Sequence, residues 1–178
     1  MSSGRFRWAL DALEAFAVAA ILALVVRTYF IGSFIVVGDS MRPALRDGER
    51  VFIWRAAYLL GEPERGDVIV FRYPLDPTRD FVKRVVGLPG EEIEIRAGRV
   101  IINGFLYTEP PTVEPDRSSY PATRVPEDSV FVLGDNRRVS EDSRFFGPVP
   151  LAEVKGEVFL IYWPPGQIGL LGAAEGGP

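Results

Sequence analysis

The stretch Glu92-Ile93-Glu94-Ile95-Arg96-Ala97-Gly98-Arg99-Val100-Ile101-Ile102-Asn103-Gly104-Phe105-Leu106-Tyr107 decides the fold. Acidic and apolar residues alternate through Ile95, and a period of two puts one face of a strand against a core. Ala97-Gly98 then reverses the chain into Arg99 to Ile102, and Asn103-Gly104 reverses it again into Phe105 to Tyr107. Asn-Gly between apolar runs is the strongest short hairpin signal. Outward from this meander the signature recurs. Phe34 to Val37, Arg50 to Trp54, Asp67 to Tyr73, Asp80 to Val86, Ser129 to Leu133 and Val154 to Trp163 all read as strands rich in Val, Ile and Phe. Apart from a turn at Ala56 to Leu60, no helix is expected beyond residue 31. The fold class is mainly β, an antiparallel β-sheet domain preceded by one N-terminal transmembrane helix.

That helix is read from Ala15 to Val26, which is uncharged and apolar and has no polar face. Crossing a bilayer takes about 20 residues. Ala9 to Leu13 and Tyr29 to Ile31 extend the run, with Trp8 and Tyr29 placed as interfacial aromatics. Arg5 and Arg7 put the N-terminus on the inner side. A cleavable leader is the rival reading, but no small-x-small cleavage site precedes Gly38. The expected division is 1–31 for a cytoplasmic tip and anchor, 32–163 for a β-rich domain, and 164–178 for a flexible tail. Residues 108–128, rich in proline, acid and serine, are expected to form a long surface loop.

Composition narrows the function. A formal charge of −4 and a pI near 5.0 argue against nucleic acid. The chain contains neither cysteine nor histidine, so no disulfide or thiolate metal site exists and no cofactor is expected. The missing histidine also removes the usual base for a serine nucleophile. Arginine stays protonated and cannot replace it. Lys83 and Lys155 are the only lysines, so the candidate bases are these two and the carboxylates.

Three segments carry chemistry. In Gly38-Asp39-Ser40-Met41-Arg42-Pro43, a strand ends and a turn exposes Ser40. The plain alternative is an ordinary turn serine. In Phe81-Val82-Lys83-Arg84-Val85-Val86, alternation puts Phe81, Lys83 and Val85 on one face. Apolar flanks disfavour an ammonium there and lower its pKa. The plain alternative is a lysine lying along the sheet with its head in water. In Gly134-Asp135-Asn136-Arg137-Arg138-Val139-Ser140-Glu141-Asp142-Ser143-Arg144, acids and arginines can interlock, and the plain alternative is a polar loop tied by its own charges.

Taken in order, these segments resemble the type I signal peptidases. The residues that carry the likeness are Ser40-Met41-x-Pro43, Arg65-Gly66-Asp67-Val68-Ile69-Val70-Phe71, Lys83 to Gly90, and Gly134-Asp135-Asn136-Arg137 through Ser140-x-Asp142-Ser143-Arg144 to Gly147. The likeness implies a membrane-bound serine endopeptidase that removes signal peptides from preproteins. It implies Ser40 as nucleophile, Lys83 as neutral general base, and Ser140 holding the lysine amine. It implies Arg84 with Asp135, and Asp142 with Arg144, as bracing ion pairs. Phe34, Ile35, Val37, Met41 and Val82 are then expected to bind substrate, with Met41 lining a small pocket. The peptide would lie as an added strand and be cut after small residues.

Gly38 stands where some members carry serine, which leaves the Ser40 backbone N–H as the expected oxyanion donor. The short span from Lys83 to Gly134 implies a minimal form with one anchor. Expected partners are preprotein signal peptides and the lipid bilayer, with the chain monomeric. The expected place is the bacterial plasma membrane, single-pass, with the catalytic part on the extracytoplasmic side. Two other functions fit parts of the sequence. A self-cleaving serine/lysine protease shares the dyad but carries a DNA-binding helical domain in front. A tethered β domain that only binds a partner would leave Ser40 inert.

Overall fold

The computed structural model describes residues 3–111 and 113–171. Helix α1 spans Ser3–Tyr29. At 1.5 Å per residue it is about 40 Å long, more than the roughly 30 Å of a bilayer core. Trp8, Phe16, Ile21, Leu24 and Tyr29 are all exposed along it, so among the described residues nothing covers these apolar side chains. Ala12–Tyr29 is the one stretch, among the described residues, long and apolar enough to cross a membrane.

The helix hands over directly to strand β1 (Ile31–Ile35), so Ile31 belongs to the sheet rather than to the anchor. The Arg55 N–H donates to the Phe30 carbonyl at 2.8 Å, and the Phe30 ring stacks on Trp54 at 5.7 Å. The remaining strands are β2 (Arg50–Trp54), β3 (Val68–Arg72), β4 (Asp80–Gly87), β5 (Glu92–Arg96), β6 (Arg99–Ile102), β7 (Phe105–Leu106), β8 (Tyr120–Arg124), β9 (Ser129–Leu133), β10 (Val149–Pro150), β11 (Val154–Trp163) and β12 (Gly169–Leu170). Two short helical turns, α2 (Ala57–Leu60) and α3 (Ser143–Phe146), lie between them.

The strands form two sheets. The larger runs β1-β2-β11-β3-β4-β9-β10, with β12 added beside β11. The smaller runs β7-β6-β5-β8 and contains the meander. Its turns adopt the expected geometry, with Ala97 and Gly98 at φ 48° and 83°, and Asn103 and Gly104 at 51° and 84°. Both central positions need positive φ, which Asn and Gly tolerate best.

Side-chain alternation partitions the core. On β3, Val68 and Val70 pack with Val51, Ile53 and Met41, while Ile69 and Phe71 pack with Val85 and Val132. On β9, Val130 and Val132 join that second cluster, while Phe131 and Leu133 join Ile93, Ile95 and Val100 from the small sheet. Strands β3 and β9 are thus buried on both faces, which is why they read as unbroken apolar runs.

Three expectations are corrected. Residues 108–128 are not a continuous loop, because β8 pairs with β5 and Glu114 bridges to Asn136. Pro121 is compatible with a strand there because β8 is an edge strand. Residues 164–171, expected to be a loose tail, form a 3-10 turn at Pro165–Gln167 and then β12, paired with β11 through Leu160 and Ile161. The rest of that tail, 172–178, lies outside the described residues. A helix also appears beyond residue 60, at α3, where Asp142 caps the Arg144 N–H. One turn is too short to show a period.

Candidate active site

Ser40 and Lys83 meet across two separate segments. The Lys83 Nζ lies 2.8 Å from the Ser40 Oγ and 2.9 Å from its neighbour's carbonyl, that of Val82. Lys83 is only 4% exposed. Burial pulls its pKa from 10.5 down to about 8, against the opposing pull of Asp142, Glu141 and Asp135. An amine with that pKa is partly neutral near pH 7 and can accept the serine proton. The turn carrying Ser40 is pinned from two sides. The Leu45 N–H donates to the Met41 carbonyl at 2.8 Å, and the Asn136 N–H donates to the Ser40 carbonyl at 3.0 Å. The backbone N–H of Ser40 has no hydrogen-bond partner among the described residues, so it is free to meet an oxyanion.

A groove of about 650 Å³ leads to this pair. One wall is Phe34 to Ser40 and the other is Arg79 to Lys83. Strand β1 is the edge of the large sheet. Strand β4 pairs with β3 from Asp80 onward but with β9 only from Arg84 onward. Each wall therefore offers unpaired backbone to an extended peptide.

A buried ionic layer braces the loop 134–144. Arg84 holds Asp135 through Nε–Oδ1 at 2.7 Å and Nη2–Oδ2 at 2.6 Å. Arg144 holds Asp142 at 2.8 and 2.9 Å and also reaches Asp116 at 2.7 Å. Asp142 accepts from the Gly134 N–H at 3.0 Å, and Arg137 pairs with Glu109. Close approach explains Gly134. A Cβ there would overlap the Ser140 hydroxyl and stand 2.6 Å from the Ser40 carbonyl oxygen.

The family profile described as "Signal peptidase, peptidase S26" matches residues 8–163. The chain belongs to this family. A "Probable signal peptidase I-2" of Synechocystis sp. is 37% identical, over 86% of this chain and 72% of that protein. A "Signal peptidase I" of Leptolyngbya laminosa is 34% identical, over 92% of this chain and 84% of that protein. The crystal structure of a signal peptidase I from Enterococcus faecalis V583 is 35% identical, covering 55% of this chain and 97% of that one, with a TM-score of 0.46. The activity of this chain is therefore that of a signal peptidase, a serine endopeptidase that removes signal peptides, and Ala12–Tyr29 has the length and composition of a membrane tether.

For this signal peptidase the structure brings most of the expected site residues together. Ser40 and Lys83 are in contact, and Phe34, Ile35, Val37 and Val82 line the groove beside them. The Arg84–Asp135 and Asp142–Arg144 pairs are formed.

Two expectations differ. Met41 is not a groove residue. It is 0% exposed and packs with Val36, Leu45 and Val51, because the Met41–Leu45 turn aims its side chain inward. Ser140 does not hold the lysine amine. Its hydroxyl is buried without a hydrogen-bond partner among the described residues, and Lys83 bonds Ser40 and Val82 instead. Glu109, Asp116 and Arg137 were absent from the expected site. Their pairings bridge distant segments, and an acid in a proline-rich stretch gives no periodic signal.

Proposed function

We propose that Ser40 is the nucleophile and Lys83 the general base that releases signal peptides from preproteins. The 2.8 Å contact between the Ser40 hydroxyl and the buried Lys83 amine carries this reading. The neutral amine takes the serine proton, and Ser40 attacks the scissile carbonyl. The Ser40 N–H stabilises the oxyanion, and the lysine ammonium returns a proton to the leaving amine. Water, deprotonated by the same amine, then hydrolyses the acyl-enzyme. The signal peptide lies extended between the Phe34 to Val37 edge and the Val82 strand, where it pairs with free backbone on both sides.

The β part works on the extracytoplasmic side of the bacterial plasma membrane, with Arg5 and Arg7 on the inner side and α1 spanning the lipid bilayer. The dyad is complete within one chain, which supports action as a monomer.

The test is processing of a purified preprotein by the full chain in detergent. Ser40→Ala and Lys83→Arg should each lose nearly all activity while far-UV circular dichroism is unchanged. Normal processing by either variant ends the reading. An acylating inhibitor should label Ser40, and an unlabelled, active enzyme would point elsewhere. The chain has no cysteine, so one cysteine placed in the β part reports sidedness with a membrane-impermeant maleimide.

A further inference from the structure

Phe81 precedes Lys83 by two residues on β4, so both side chains leave the same face. The ring centroid lies 5.0 Å from the Lys83 Nζ. A cation within about 6 Å of an aromatic ring is attracted by its quadrupole. The ring is held in place. Tyr73 stacks on it at 4.2 Å with 10° between planes, and Phe146 meets it edge-on at 6.4 Å. Tyr73 is itself fixed by donating its hydroxyl to Glu141 at 2.5 Å. Arg79 covers the pair, with its guanidinium carbon 5.1 Å from the Phe81 ring and 5.6 Å from the Tyr73 ring.

Other groups around the amine leave a task unfilled. Among the described residues, Lys83 makes no direct ion pair; its bonds go to Ser40 and Val82. Asp142, Glu141 and Asp135 from the loop act on it only through space. A carboxylate in contact would keep the amine protonated and useless as a base. An ammonium must nevertheless form at each turnover.

We propose that Phe81 is a positioning residue for proton transfer: its braced ring holds the Lys83 amine against Ser40 and stabilises the ammonium formed when that amine takes the Ser40 proton. This rests on Lys83 being the base. The proton leaves the Ser40 oxygen, binds the lysine nitrogen, and goes on to the leaving amine. The ring is unchanged throughout.

The experiment uses the full chain in detergent micelles with 13C-labelled lysine. Only Lys83 and Lys155 give signals, so the titration of each is assigned by one variant. In the wild type Lys83 should titrate near 8. Phe81→Leu should lower this by about half a unit or more, since the ammonium loses its π contact. It should lower kcat about tenfold, with KM changed less than twofold, and Phe81→Tyr should restore both. Pentafluorophenylalanine at position 81, which keeps the shape and reverses the quadrupole, should act like leucine and serves if leucine unfolds the protein. An unmoved or raised Lys83 titration in both variants, or an effect on KM alone, overturns the proposal. A wild-type Lys83 titrating near 10.5 removes the base itself, which is a separate failure.

Discussion

Arg84 and Asp135 face each other as two planar groups, joined by parallel hydrogen bonds of 2.7 and 2.6 Å, in a layer almost closed to water. Arg84 also donates to the Gly66 carbonyl at 2.7 Å. Successive strand residues point to opposite faces, so this pair braces one side of β4 while Lys83 works on the other. Removing one partner strands a buried charge. Asp135→Ala should therefore lose about 3–5 kcal/mol in urea unfolding, whereas Arg84→Met with Asp135→Leu should lose much less. Equal losses in the single and double variants would contradict this account.

Burial of Lys83 lowers the stability of the fold at neutral pH. Its pKa falls from 10.5 in the unfolded chain to about 8 in the fold. The unfolded state thus binds more protons between those values, and stability from this group rises with pH across that window. Below pH 8 the full penalty stands, about 3 kcal/mol. Lys83→Met should be inactive yet more stable than wild type at pH 6 by up to that amount. The advantage should fade as pH rises from 8 toward 10.5. A destabilised Lys83→Met at pH 6 would mean that the amine is not held at such a disadvantage.

The same shift sets the rate profile. With the neutral amine as the proposed base, kcat/KM should climb about tenfold per unit below pH 8 and level off above it. A stopped assay on a preprotein between pH 5 and 9.5 reads this directly. A flat rate from pH 5 to 9 contradicts a lysine base.

Gly134 and Ser140 give a contrasting pair of variants. Gly134→Ala puts a methyl group into the Ser140 hydroxyl and against the Ser40 backbone, so the loop must move. Activity should drop at least tenfold even where the protein folds. Ser140→Ala removes a buried hydroxyl without a partner among the described residues. Its stability should equal or exceed wild type by on the order of 1 kcal/mol. Thermal unfolding and preprotein cleavage on the same samples separate the two effects.

Much of this was legible from residue order. Strands β2, β6, β9 and β11 lie where alternation and apolar runs put them, because Val and Ile at period two have few other stable arrangements. The Ser40–Lys83 contact was legible only through the likeness to the signal peptidases, because the absence of histidine by itself left both lysines and the carboxylates as candidate bases. Met41 was misread because a side chain on a turn is aimed by local hydrogen bonds rather than by any period. Glu109 and Asp116 were missed because they pair with Arg137 and Arg144 across intervening chain that includes β8 and β9. The Tyr73–Phe81 stack joins residues at either end of a reversal, where neither element's repeat applies.

The helix passes into β1 without slack, tied there by the Phe30 carbonyl and the Phe30–Trp54 stack. With α1 spanning the bilayer as proposed, the Ser40–Lys83 pair would ride at a set altitude above that surface. On the proposed membrane-spanning arrangement, a bond would be selected by its height as well as by the size of its side chains. A stretch of glycine and serine inserted after Tyr29 would give the ruler play and blur the choice between neighbouring bonds.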